Sequence, residues 1–223
     1  PWHPPCVWGQ NKNQCSHLKE ALMAFRSTLL ATVFVALALL WGGSSAFAGM
    51  AEDQVKETVN RVVEILRDPE LRKEDKATQR REMLRQAIFP RFDFAEMARR
   101  SLGSHWKNQK AKQEEFVAVF SDFVENAYVG KVESFKDEKI LFVRERIDQG
   151  FADVDTKVVP KGEPFSVNYK LHLVGTEWKV YDVVIENISL VNNYRSQFNR
   201  ILANSSFDEL LKKLRDKRSE MGS

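Results

Sequence analysis

The chain has 223 residues, 43% of them hydrophobic, with 34 Lys and Arg against 31 Asp and Glu, a formal net charge of +3. That near balance argues against nucleic acid as a partner held by bulk electrostatics. The two cysteines, Cys6 and Cys15, both lie near the N-terminus, so the rest of the chain has neither a disulfide framework nor a thiolate metal site.

Residues 1–22 show no apolar period and precede Met23, so they are expected to be an upstream extension outside the fold. Met23-Ala-Phe-Arg26, the apolar run Leu29 to Leu40 and the small residues Gly42 to Ala48 follow. A charged start, a short apolar middle and a small-residue cleavage site are the marks of a secretory signal peptide over 23–48. The apolar run is shorter than the ~20 residues that cross a bilayer, which leaves an uncleaved anchor as the weaker alternative. No Cys follows the cleavage site, so no lipoprotein-type attachment is expected, and residues 49–223 form the working domain.

In that domain, Val55, Val59, Val62, Val63 and Leu66 fall on one helical stripe between Glu52 and Arg67, stopped by Asp68-Pro69. A second helix is predicted from Glu74 to about Phe89, ended by Pro90. Asp93 stands at an N-cap position ahead of Phe94 to Leu102, and Gly103 closes that helix. Phe116, Val119, Phe120, Phe123, Val124, Ala127 and Tyr128 then step by three and four along one long helix.

After Lys136 the period changes to two. Lys139–Ile147, Phe151–Val159, Phe165–Val174 and Trp178–Ile185 read as four strands joined by short turns, an antiparallel meander. Two helices close the chain, from Ser189 to about Ala203 and from Ser206 to about Lys217, the latter opened by a Ser206/Glu209 capping box. The fold class is α+β, with helices packed on a curved four-stranded antiparallel sheet.

The chain carries no Gly-x-Ser-x-Gly, no Gly-rich phosphate loop and no His-Glu-x-x-His. His105 and His172 stand far apart, so no metal is expected, and no cofactor. Asp182 sits alone on an otherwise apolar strand. It suits either a structural carboxylate bonded to backbone amides or an acid with a raised pKa in a small pocket, which with Tyr128 would define an enzyme of a small apolar substrate. The inward aromatic supply of the long helix and the strands either fills a core or lines a cavity, and composition alone favours the core.

Three blocks resemble the MlaC family, also called the toluene-tolerance auxiliary family. They are Trp178-Lys-Val-Tyr-Asp-Val-Val-Ile-Glu-Asn-Ile-Ser-Leu-Val-Asn-Asn-Tyr-Arg-Ser-Gln-Phe198, Phe92-Asp-Phe-Ala-Glu-Met-Ala-Arg-Arg-Ser-Leu-Gly-Ser-His-Trp106, and Asn126-Ala-Tyr-Val-Gly-Lys-Val132. Family members often have Gly where this chain has Asn187, a departure that concerns only the local turn. The resemblance implies a nuclear-transport-factor-like unit with extra helices around an apolar cavity. It further implies a periplasmic phospholipid shuttle, not an enzyme, acting as a monomer. Its partners would be phospholipid, an MCE-domain protein of an inner-membrane ABC transporter and an outer-membrane lipoprotein-porin complex.

Faces and family together nominate Phe120, Val124, Tyr128, Val143, Val158, Tyr169, Leu171, Val180, Leu190, Tyr194 and Phe198 as lipid-binding, with Arg195 a candidate for a headgroup phosphate or a surface salt bridge. Ordinary core is the competing reading for each apolar residue, and a structural adaptor with a solid core the competing reading for the whole.

Overall fold

A computed structural model describes residues 50–135 and 138–222. The expectations for 1–22 and for the leader at 23–48 lie outside the described residues. Helix α1 spans Met50–Arg67, and a single 3-10 turn at Glu74–Lys76 leads into α2, Ala77–Ile88. The second helix therefore starts three residues later, as an α-helix, than its pattern suggested. Pro90 falls in a 3-10 turn, Phe89–Arg91, before α3, Phe94–Leu102.

Asp93 caps α3 as its position predicts, its side chain accepting from the Glu96 N–H at 2.8 Å. At the other end Gly103 takes φ +56, a conformation open to residues without a Cβ. After a 3-10 run over Gly103–Lys112, α4 spans Gln113–Glu133.

The sheet follows as β1 Lys139–Asp148, β2 Phe151–Val159, β3 Phe165–Val174, β4 Glu177–Ile185 and β5 Ile188–Ser189, hydrogen-bonded in that order. The expected four strands are thus five, because β5 has two residues and is too short to show a period. Glu186 and Asn187 join β4 to β5 with φ +48 and +65. Asn tolerates this left-handed region better than most residues, which lets Asn187 hold the turn without a glycine.

Two bulges bend the sheet, one at Val143 between Phe142 and Arg144 of β1, the other on β4 where Lys170 pairs with Asp182 but Leu171 pairs with Val180. An extra residue in one strand increases its local twist and bend.

Helices α5, Leu190–Leu202, and α6, Phe207–Gly222, complete the chain. The Ser189 hydroxyl caps α5 by accepting from the Asn192 N–H, and Ser206 accepts from the Glu209 N–H at 3.2 Å. The larger hydrophobic cluster joins α3, α4, α5, α6 and one face of the sheet around Phe116, Phe120, Trp178 and Phe198. A second, smaller cluster holds the α1–α2 hairpin together through Ile65, Leu66, Leu71 and Leu84. Among the described residues no helix is long and apolar enough to cross a membrane.

Candidate functional site

Between those two clusters lies a cavity of about 550 Å³. Val55, Val59, Val62, Val63 and Leu66 of α1 form one wall, Leu84 and Ile88 of α2 another, and Val124, Tyr128, Val129 and Val132 of α4 a third. The sheet supplies Ile140, Val158, Val167, Tyr169, Val180, Val183 and Ile185 as the floor. These sheet residues share a face because they pair in register, Ile140 with Val158, Tyr169 with Val183 and Val167 with Ile185.

The wall from α1 is built mostly of valine. A valine side chain is too short to meet the opposite wall, so the stripe that would close a core with leucine or phenylalanine leaves space instead.

Charged residues reach only parts of the boundary, with Arg81 and Arg85 on α2, Arg91 in the 3-10 turn before α3, and Glu125 and Lys131 on α4. They also fasten α2 to α4. Arg80 donates to Glu133 Oε1 at 2.9 Å, Arg81 to Glu133 Oε2 at 3.0 Å and Arg85 to Glu125 at 3.2 Å. The Lys131 ammonium lies 4.9 Å from the centre of the Tyr128 ring. Two tyrosines, Tyr128 and Tyr169, stand among the apolar lining residues. Burial pushes the Tyr169 phenol up to about 12. Burial likewise raises Tyr194, helped by Tyr128 and its hydroxyl hydrogen bond.

Of the residues nominated from the sequence, Val124, Tyr128, Val158, Tyr169, Val180 and Leu190 line this cavity. Phe120, Leu171, Tyr194 and Phe198 do not; they are buried in solid core. The Phe120 ring meets Tyr194 edge-on at 5.7 Å and Phe198 at 6.0 Å, and Tyr194 stacks on Phe198 at 5.9 Å. Val143 is 64% exposed: it shares the outward face of β1 with Leu141, opposite Ile140 and Phe142, and the β1 bulge falls on it.

Arg195 is away from the cavity and makes no salt bridge among the described residues; its Nε donates to the Arg100 carbonyl at 2.7 Å. The valine wall of α1 shows as a helical stripe in the sequence, but nothing in its spacing says that it faces a void, and the sequence singles out none of the α2 residues.

Asp182 takes the structural role. It is buried, outside the cavity wall, and accepts from the Ser189 hydroxyl at 2.5 Å and the Val191 N–H at 3.1 Å. It thereby anchors the start of α5 to β4. His172 Nε2 lies 3.0 Å from Asp93 Oδ2. Among the described residues no group of three or more His, Cys, Asp or Glu is placed to hold a metal ion.

The chain can be set beside known proteins. The family model described as "MlaC protein" matches residues 56–216. The intermembrane phospholipid transport system binding protein MlaC of Haemophilus influenzae is 24% identical over 147 residues, which cover 63% of this chain and 69% of that protein. A phospholipid-binding protein from Ralstonia solanacearum, determined in complex with a phospholipid, is 24% identical with a TM-score of 0.68; the match covers 78% of this chain and 99% of that one. At that identity the structural likeness establishes the fold.

Proposed function

Since the chain belongs to the MlaC family, we propose that it is a periplasmic phospholipid carrier that works as a monomer between the outer membrane and an inner-membrane ABC transporter. The observation that supports this reading is the apolar cavity between α1, α2, α4 and the sheet. Each methylene exposed to water costs ~0.8 kcal/mol, so an acyl chain of about fifteen methylenes in water costs on the order of 12 kcal/mol. A carrier removes that cost by non-directional burial, which needs apolar walls and no compact motif.

The cavity volume of about 550 Å³ lies within the ~300–1,000 Å³ range of ligand sites. A methylene occupies about as much room as a water molecule's ~30 Å³ share of the liquid. On that scale the cavity accommodates one acyl chain comfortably and two only if its walls move apart. The wall best able to move is the α1–α2 hairpin, which carries its own small core and is tied to α4 by the Arg80, Arg81 and Arg85 ion pairs. In this reading Val124, Tyr128, Val158, Tyr169, Val180 and Leu190 touch acyl chains, together with the valine wall of α1.

The outward partners are an outer-membrane lipoprotein-porin complex on one side and an MCE-domain protein of the transporter on the other. Transfer of a fluorescent phospholipid between donor and acceptor vesicles tests the proposal. The protein should accelerate transfer in proportion to its concentration, and Val129→Trp, which fills the cavity, should cut that acceleration at least tenfold. No acceleration by the unmodified protein, or full acceleration by Val129→Trp, would count against it.

A further inference from the structure

A second recess, of about 430 Å³, lies where the end of α3 meets α5, lined by Arg99, Arg100, Gly103, Ser104, Arg195 and Asn199. It shares no residue with the apolar cavity. Arg195 and Asn199 are four apart on α5 and so project from one face of that helix. Three guanidinium groups thus converge on one small volume.

Like charges gather at a cost, and the local structure shows how this cluster is held. Glu96 accepts from Arg99 Nε and Nη2 and from Arg100 Nε at 2.5 to 2.7 Å. Burial pushes the Glu96 carboxyl up, but the hydrogen bonds from Arg99 and Arg100 outweigh it and hold its pKa below the usual carboxylate value. Glu96 therefore stays ionised and balances one of the three positive charges.

Arg100 is fixed further by stacking on Tyr181, 4.0 Å from the ring centre. Arg195 is fixed by its Nε bond to the Arg100 carbonyl, passing over Gly103 so closely that a Cβ there would lie 3.4 Å from Nε. That bond also occupies a last-turn carbonyl of α3, one of the groups that would otherwise repel an anion. The terminal Nη nitrogens of Arg100 and Arg195 donate to no acceptor among the described residues. Asn199 and Ser104 add neutral donors.

We infer that this recess is a binding site for a phosphate group, held by the free guanidinium edges of Arg100 and Arg195 with Asn199 and Ser104. A carboxylate accepts in one plane, whereas a tetrahedral phosphate offers oxygens in several directions, matching donors that arrive from two helices. Both arginines are held before the ligand comes, so little rotamer freedom is lost on binding. The phosphate can belong to a soluble ester or to a lipid headgroup on a membrane. The site does not depend on the apolar cavity or on the carrier reading.

The test is calorimetric titration of the purified protein with sn-glycerol 3-phosphate and with inorganic phosphate at constant ionic strength. A parallel arm follows co-sedimentation with phosphatidylglycerol vesicles and its displacement by glycerol phosphate. Saturable binding weakened at least tenfold by Arg195→Gln is expected. Asn199→Asp sets a carboxylate in the recess without touching the α3 contacts, and should weaken binding as much even if Arg195→Gln fails to fold.

Binding of the soluble phosphates without vesicle capture supports the site with a soluble ester as its source. Vesicle capture that glycerol phosphate displaces supports it with a headgroup as its source. No saturable binding in either arm, or wild-type binding by Asn199→Asp, overturns the inference.

Discussion

The two halves of helix α4 use the same kinds of residue and have opposite surroundings. In its first half Phe116, Phe120 and Phe123 meet Phe198, Phe207 and Tyr194 in edge-on and tilted ring pairs, and no space remains. In its second half Val124, Tyr128, Val129 and Val132 face a cavity. What differs is what stands opposite: aromatic side chains of α5 and α6 at one end, a wall of valines on α1 at the other. Tyr128, in the cavity wall, and Tyr194, in the packed core, mark the boundary. Whether an apolar stripe becomes core or container is decided by the length of the side chains across from it.

The sharpest way to break that comparison is to truncate one residue from each half. Phe120→Ala should destabilise by about 3–5 kcal/mol, because it opens a void in packed aromatic core. Val59→Ala, in the cavity wall, should cost only about 1 kcal/mol, since it enlarges a space that already exists. Urea denaturation of both variants measures the contrast, and equal losses would mean that the two halves are packed alike.

Asp182→Asn should cost about 1–3 kcal/mol by weakening the bonds to Ser189 and Val191 that seat α5 against the sheet. Thermal melting reads it as a fall of about 2–4 °C per kcal/mol for a domain of this size. Lipid transfer by the folded variant should be unchanged, because Asp182 is outside the cavity wall.

The pH dependence of Tyr169 is a subtler probe of the hollow half. In the unfolded chain its phenol ionises near 10, but in the fold it stays protonated to about 12. Between those values the folded state holds the extra proton, so its contribution to stability is full below pH 10 and is lost as pH rises to 12. Urea midpoints taken across that window should fall more steeply for the wild type than for Tyr169→Phe.

The smallest effect is expected from Glu133→Gln, which removes the shared partner of Arg80 and Arg81. Partly exposed ion pairs contribute about 0–1 kcal/mol, so stability should barely move. Hydrogen exchange in α2 should quicken if these pairs hold the hairpin closed over the cavity.

Much of this fold was legible because its local signals agree with the tertiary structure. Asp93 and Ser206 announce helix starts that the hydrogen bonds reproduce, and Gly103 sits at a positive φ where α3 ends. The period-two runs place four strands within a residue or so of their ends. Legibility failed where the deciding contact is remote. The bulge at Val143, after which the inward face passes to Glu145 and Ile147, depends on pairing with β2, and β5 is visible only once Asn187 has turned the chain back.

The cavity shows the same limit. Phe120 and Tyr128 are two turns apart on one stripe, and only the elements packed against each make one core and the other wall. The arginine recess is not legible for a related reason: Arg195 is a candidate from sequence, but Arg99 and Arg100 stand far from it in the chain and no pattern in either helix brings them together.

The central claim is that the hollow half holds phospholipid. Native mass spectrometry of the purified protein, before and after exposure to liposomes, tests it most directly. An added mass equal to one phospholipid per chain, lost in Val129→Trp, is expected. A chain that keeps its bare mass in both conditions would contradict it.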